Sequence, residues 1–352
     1  MRVTDYFSLL ARHRFAIHPT RLPMAFLISG CTAINSTAAL AQKMFYGRRI
    51  RETTLDQPPI FIVGHWRTGT TLLHELLGHD SRFAFPNNVE CFAPHHFLVT
   101  GKLVSPIVRL LMPSRRPMDN MEIKSNFPQE DEFALCSLGA PTPYFRVAFP
   151  NHEPEYMELL NFDNADPELI ERFRSGLDYF FKALTVKYQR PLILKSPPHT
   201  GRIKLLSKWY PGAKFIHICR DPLKIFTSTK RLWRTLDQVQ GFQLPKYSDE
   251  KLNELVFQSL NSMYDGYLRQ RSDIDVKNLV EVRFEDVVAD PVAEIGRIYE
   301  TLEIDRFDDL KPSLLEYQRS RKDYRGNPSV IDEATAADVK ANWRQYYDAF
   351  GY

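Results

Sequence analysis

A short apolar run, Ile60-Phe61-Ile62-Val63, passes directly into Gly64-His65-Trp66-Arg67-Thr68-Gly69-Thr70-Thr71. A leucine stripe follows, Leu72, Leu73, Leu76 and Leu77, closed by Gly78. No other stretch constrains the fold as much as this order of strand, glycine turn and helix. In such a unit the loop N–H groups and the helix N-terminus face a common anion. The spacing of Gly64, Gly69 and Thr71 is that of a phosphate-binding P-loop, G-x-x-x-x-G-K-[ST]. The lysine of that pattern is missing. Thr70 stands in its place, and the cation sits inside the loop as Arg67.

Three further apolar runs read as buried strands, at 192–194, 214–219 and 279–284. Each leads to turn residues and a helical pattern, the last after a short acidic stretch. Asp221-Pro222 and Asp290-Pro291 have the cap-then-proline order of a helix start. Strand, turn and helix repeated in this way predict an α/β fold: a P-loop-type, mainly parallel sheet flanked by helices. The Pro-, Asn- and aromatic-rich stretch 83–164 reads as an insertion over the open end of the sheet. The expected organisation is an N-terminal helical extension, 1–55, followed by one P-loop domain, 56–352.

The chain has 352 residues and a net charge of +3. That mild basicity suits one anion-binding cleft and gives no reason to expect a nucleic-acid partner. Cys31, Cys91, Cys136 and Cys219 form no C-x-x-C pair, so buried reduced thiols and a cytoplasmic setting are expected. Residues 22–42 carry no charge and follow Arg12, Arg14 and Arg21. A spanning helix needs about 20 mostly apolar residues. This run has the length, but Ser29, Gly30, Thr32, Asn35, Ser36 and Thr37 interrupt it. It reads as a helix packed on the domain or lying at a membrane surface, which would make the protein membrane-associated.

A metal-dependent phosphoryl-transfer enzyme needs an acidic residue at the end of a neighbouring strand. Here the run 214–219 ends in Arg220 instead, and Ser228 follows eight residues later. Two turns into a helix, Ser228 can face the same anion as Arg220. The implied ligand has two separated anionic groups, one in the loop and one at Arg220 and Ser228.

These motifs resemble the sulfotransferase family, whose donor is 3′-phosphoadenosine 5′-phosphosulfate (PAPS). The family's 5′-phosphosulfate loop, [KR]-[ST]-G-[ST]-[ST], matches Arg67-Thr68-Gly69-Thr70-Thr71. Its 3′-phosphate motif matches Arg220 and Ser228, and its strand-end lysine matches Lys195 in LILKSPPH. The likeness runs from about residue 60 to 307. It is strongest to the branch with arginine in the loop, which includes carbohydrate and protein-tyrosine sulfotransferases and many bacterial members. It implies transfer of a sulfuryl group from PAPS to an acceptor hydroxyl on a sugar, lipid or small molecule, without a metal. Arg67 and Lys195 would stabilise the charge-spread transition state.

Two residues are candidates for the base. Glu90, in NNVECF, stands about where the arginine-loop branch carries a catalytic glutamate. His199, in KSPPHTGRI, lies two positions beyond the slot of the histidine base in cytosolic members, which here holds Pro197. Lys322 and Arg325, in the basic tail 320–329, match a loop that closes over the 3′-phosphate. Trp66 can stack on adenine or pack in the core. Phe284 replaces a tyrosine that the family often carries. Two alternative functions remain, a P-loop nucleotide-dependent kinase and a non-catalytic nucleotide or sulfated-glycan binding module. The acceptor and the oligomeric state are not legible.

Overall fold

The computed structural model describes residues 1–111, 127–320 and 331–352. Its centre is a parallel sheet of β1 (Ile60–Val63), β2 (Ile193–Lys195), β3 (Lys214–Cys219) and β4 (Leu279–Arg283), in the order β2-β1-β3-β4. Ile62 pairs with Lys195 on one side and Ile216 on the other, and Cys219 pairs with Arg283. The strand ends that carry the loop, Lys195 and Arg220 are thereby brought to one edge of the sheet. The runs at 192–194 and 279–284 are observed with boundaries shifted by one residue.

Both faces of the sheet are covered, which is why these strands are apolar runs and not alternating ones. Phe61, Val63, Leu194 and Phe215 face a core built with α7 (Pro167–Tyr188), α8 (Ile203–Trp209), α9 (Pro222–Gln240) and α10 (Asp249–Gln270). Ile60, Ile62, Ile216 and Val280 face the other way. They pack on α3 (Thr70–Leu77), α11 (Phe284–Ala289), α12 (Pro291–Thr301) and α13 (Phe307–Ser320). The expected caps are present. Asp221 accepts from the N–H of Leu223 at 2.8 Å, and Asp290 from that of Ala293 at 3.0 Å. The long α7 and α10 and the final pair, α14 (Glu333–Asn342) and α15 (Arg344–Phe350), carry no glycine motif and were not read from the sequence.

Among its described residues the predicted insertion carries three α-helices, α4 (Asn88–Phe92), α5 (Phe97–Leu111) and α6 (Asp131–Leu138). The N-terminal extension is α1 (Val3–Arg12) and α2 (Leu22–Glu52). Tyr6, Leu9, Leu10 and Ala25 share a small core with Phe145, Phe149 and Phe242, so the extension is packed against the insertion. Among the described residues, α2 is the one helix long and apolar enough to cross a membrane.

His217 of β3 is completely buried, stacked on Tyr267 and Phe350, with Nε2 3.1 Å from the Tyr264 hydroxyl. Burial lowers its pKa to about 4, against a partial offset from Glu281. A histidine whose folded pKa is depressed contributes stability that is complete above its unfolded pKa and is lost as pH falls. Unfolding free energy should therefore drop between pH 6.5 and pH 4, with about 1.4 kcal/mol per pH unit coming from this group. His217→Phe, which keeps the stacking, should flatten the slope by that amount in urea titrations across this range. An unchanged slope would mean that His217 titrates normally.

Candidate active site

Gly64 and Gly69 are required by geometry. Both have positive φ, 143° and 109°. A Cβ on Gly64 would lie 2.5 Å from the Ile218 carbonyl oxygen, and one on Gly69 would lie 2.3 Å from the Phe284 ring. Only glycine lets β1 turn this close to β3 and start α3. The Gly64 N–H donates to the Thr200 hydroxyl at 2.7 Å, and the Thr68 hydroxyl donates to the His65 carbonyl at 2.7 Å. Arg67 itself has φ 72°. This left-handed residue turns the chain so that α3 begins with Thr70 and Thr71. The first N–H groups of an α-helix have no partner within the helix, and those of α3 open beside Arg67 and Lys195.

One side of the loop is a cationic corner. Arg67 Nε donates to Ser228 Oγ at 2.8 Å, and Arg220 Nη1 donates to the Arg67 carbonyl at 2.9 Å. The Arg220 guanidinium lies over the Phe284 ring, 3.9 Å from its centroid. Phe284, which stands where a tyrosine was expected, thus closes the floor under Gly69 and supports Arg220. Tyr346 clasps the Arg220 backbone: its hydroxyl accepts from the N–H at 2.9 Å and donates to the carbonyl at 3.0 Å. Ser228 occupies the second turn of α9, as the eight-residue spacing requires.

The other side of the loop is an ion-paired network. Lys195 leaves β2 almost fully buried, with Nζ 3.5 Å from Thr71 Oγ1 and 2.8 Å from Glu130 Oε1. Glu130 also accepts from the Tyr144 hydroxyl, which in turn accepts from the Trp66 indole N–H at 2.8 Å. Burial, reinforced by the Glu130 carboxylate, pushes the Tyr144 phenol far above its ordinary pKa, so it remains a proton donor. Trp66 is 5% exposed and meets Trp233 edge to face. It is part of the core and is not available to stack on adenine in this structure.

Glu90 and His199 are each held by partners outside the loop. Glu90 is fully buried at the third position of α4, where its carboxylate and the Asn87 side chain form a reciprocal capping box. It accepts from the Asn87 N–H and the Tyr188 hydroxyl, both at 2.6 Å, and pairs with Lys187. His199 lies in a short 3-10 turn, edge-on to Phe61, with Nε2 3.1 Å from Asp131 Oδ1. Beside it, Arg202 pairs with Glu132 at 2.9 Å, and Thr142 and Ser196 donate to the same carboxylate. Asp131, Glu132, His199 and Arg202 are all buried. Burial raises the Asp131 pKa. For Glu132 the same effect is outweighed by Arg202, His199 and Thr142 together, and the net shift is downward. This cluster fastens the insertion to the sheet. Lys322 and Arg325 lie outside the described residues.

The sequence reading missed Glu130. It stands in the run FPQEDEF beside Asp131 and Glu132, and nothing in that run separates the three carboxylates. A signal exists only in retrospect: a carboxylate was needed to accompany Lys195, which has apolar neighbours on its strand.

Comparison with known proteins adds to this geometry. The profile described as "Sulfotransferase family" matches residues 58–309, more than two thirds of the chain. The chain belongs to the sulfotransferase family. The omega-hydroxy-beta-dihydromenaquinone-9 sulfotransferase Stf3 of Mycobacterium tuberculosis is 39% identical over 347 residues, spanning 99% of this chain and 89% of that protein. The Mycobacterium bovis protein of the same name is equally similar. Among solved structures, sulfotransferase STF9 from Mycobacterium avium superposes with a TM-score of 0.75 at 20% identity, covering 95% of this chain and 86% of that one. STF1 from M. tuberculosis gives 0.68 at 14%, covering 97% and 92%. These two establish the shared fold.

As a sulfotransferase, the chain is an enzyme that transfers a sulfuryl group to an acceptor. The kinase and binding-module readings are thereby set aside. The sulfotransferase loop also yields a test of its own geometry. Gly69→Ala should lower stability by about 2–4 kcal/mol, since strain and the Phe284 clash act together. Gly30 is inside α2, where a Cβ meets nothing within 4 Å. Gly30→Ala should therefore raise stability by about 0.5–1 kcal/mol. Urea unfolding of both variants measures the contrast. Equal effects would remove the case that the loop needs glycine at 69.

Proposed function

We propose that the protein transfers a sulfuryl group from PAPS to a hydroxyl on a long apolar acceptor. One observation carries this reading: the loop is flanked by a cationic corner at Arg220, Ser228 and Arg67, and by a Lys195–Glu130 pair against Thr71. The corner fits the 3′-phosphate of the donor, held by Arg220 and Ser228. The 5′-phosphosulfate would lie in the loop on the N–H groups of Gly69, Thr70 and Thr71, with Thr68 bracing the turn. The apolar acceptor is inferred from Stf3, whose name specifies a hydroxylated menaquinone, together with its 39% identity to this chain. All four cysteines are free thiols, which fits a cytoplasmic enzyme.

In the transfer, the acceptor oxygen attacks sulfur while the bond from sulfur to the 5′-phosphate oxygen breaks, its electron pair leaving with the phosphate. The acceptor proton goes to a carboxylate. We assign that role to Glu130, not Glu90, because Glu130 is partly exposed beside Lys195, whereas the Glu90 carboxylate is engaged by three donors. Once Lys195 turns to the sulfuryl oxygens, Glu130 is released to act as base. Arg67 can exchange Ser228 for the leaving phosphate, to which a guanidinium can bind through two N–H groups. His199 and Glu90 then hold the walls.

The donor is tested by melting curves. Adenosine 3′,5′-bisphosphate should raise Tm without divalent metal, and ATP should do so much less. Arg220→Ala should cost about 2–4 kcal/mol in donor affinity and Ser228→Ala about 1 kcal/mol. Equal stabilisation by ATP would remove the 3′-phosphate site.

The base is tested by turnover on folded protein, with donor affinity measured separately. Glu130→Gln should lower turnover about 10²–10⁴-fold while the donor still binds. Glu90→Gln should act mainly on the melting temperature. The opposite pattern would return the role to Glu90, and an inactive, donor-binding His199→Ala variant would give it to His199.

A further inference from the structure

α2 presents an apolar face that none of the described residues covers. Phe26, Leu27, Ile34, Leu40, Met44 and Phe45 are between 63% and 83% exposed. At about 100° per residue these positions fall within roughly half of the helix circumference. From Leu22 to Gln42 the helix carries no charged side chain, a length of about 30 Å at the α-helical rise. Soluble monomers seldom expose a continuous apolar surface on that scale.

The opposite side of α2 is fastened to the body. Ala25, Thr32, Gln42 and Ile50 are buried. Gln42 accepts from the Leu98 N–H at 2.9 Å and donates to the Tyr179 hydroxyl at 2.8 Å. Asn35 meets His96 at 3.0 Å, and Ser36 accepts from the Val3 N–H at 2.9 Å. A helix held this way along most of its length lies flat on the domain. To span a bilayer it would have to break all of these contacts.

Charge selects the occupant. Arg12, Arg14 and Arg21 precede the uncharged stretch, with Arg12 paired to Glu155 and Arg21 donating to the Gln238 carbonyl; Lys43, Arg48, Arg49 and Arg51 follow it, with Arg48 paired to Glu52, the only acidic residue of α2. Two copies meeting face to face along this helix would set basic end against basic end in either the parallel or the antiparallel arrangement. An anionic lipid surface meets both ends favourably: apolar side chains enter the acyl boundary while arginines and lysines reach the phosphates. The neighbouring α5 also exposes Val99 and Leu103.

We propose that the protein docks on an anionic bilayer surface through the exposed face of α2, with the helix lying in the interfacial plane. The docking does not depend on the identity of donor or acceptor.

The test is flotation of the full-length protein with phosphatidylcholine vesicles, with and without phosphatidylglycerol. Binding should require the anionic lipid and weaken with salt, since each basic residue near such a surface is worth about fivefold in affinity. Phe26→Glu with Met44→Glu should reduce the bound fraction about tenfold or more while leaving the thermal melt unchanged, because both side chains point to solvent. Phe26→Ser with Phe45→Ser should weaken binding in the same direction without added charge. Failure of the unaltered protein to float with either vesicle would overturn the proposal. So would a dimer, seen by analytical ultracentrifugation, that dissociates in the Phe26→Glu/Met44→Glu variant while vesicle binding persists. Retention in cell membranes after alkaline carbonate extraction would replace surface docking with spanning.

Discussion

The parallel pairing of β1 with β3 is the constraint on which the site depends. It sets Gly64 so close to Ile218 that no side chain fits, and it carries the chain into α3 under the Phe284 ring. The same register ends β3 one residue before Arg220, whose guanidinium then reaches the Arg67 carbonyl. The cationic corner is therefore a product of sheet geometry. Its three side chains come from segments about 150 residues apart in sequence, and the strand register holds them together.

The insertion meets this frame through two kinds of polar contact. One is the buried cluster of Asp131, Glu132, His199 and Arg202. Removing one partner of such a pair is strongly destabilising, whereas its net contribution against an apolar alternative is small. Its value here is positional, because it fixes the start of α6 and with it Glu130. The other is the chain from Trp66 through Tyr144 to Glu130 and Lys195, which links the loop to the insertion by hydrogen bonds. A shift of α6 would alter the partner of Lys195 directly.

The parts of the fold that could be read in advance are those where one residue type has a specific backbone task. Gly64 and Gly69, the helix starts at Asp221-Pro222 and Asp290-Pro291, and the mainly apolar strands reported their positions. Arg67, Arg220, Ser228 and Lys195 were legible because the loop and strand ends are close to one another in any parallel sheet of this kind. Glu130 was not legible, because a carboxylate acquires its role only from what the fold sets beside it. Trp66 had two equal readings, and burial against Trp233 and Tyr144 decided between them. The long helix α10 escaped because an amphipathic stretch gives no position relative to the sheet, and α7 was missed although Asp166-Pro167 carries the same cap-then-proline signal as the other helix starts.

The clasp of Tyr346 on the Arg220 backbone bears on the order in which the molecule can be made. The loop, β3 and α9 emerge from the ribosome well before α15, yet the amide and carbonyl of Arg220 are clasped by Tyr346 of that later helix. Trp343, wholly buried against Phe226 and Phe257, adds the same dependence. A nascent chain can pair its strands early, but the cationic corner stays unclasped until α15 has been synthesised and docked. The cationic corner is thereby tied to a helix that follows it far along the chain, and its assembly waits on that helix docking.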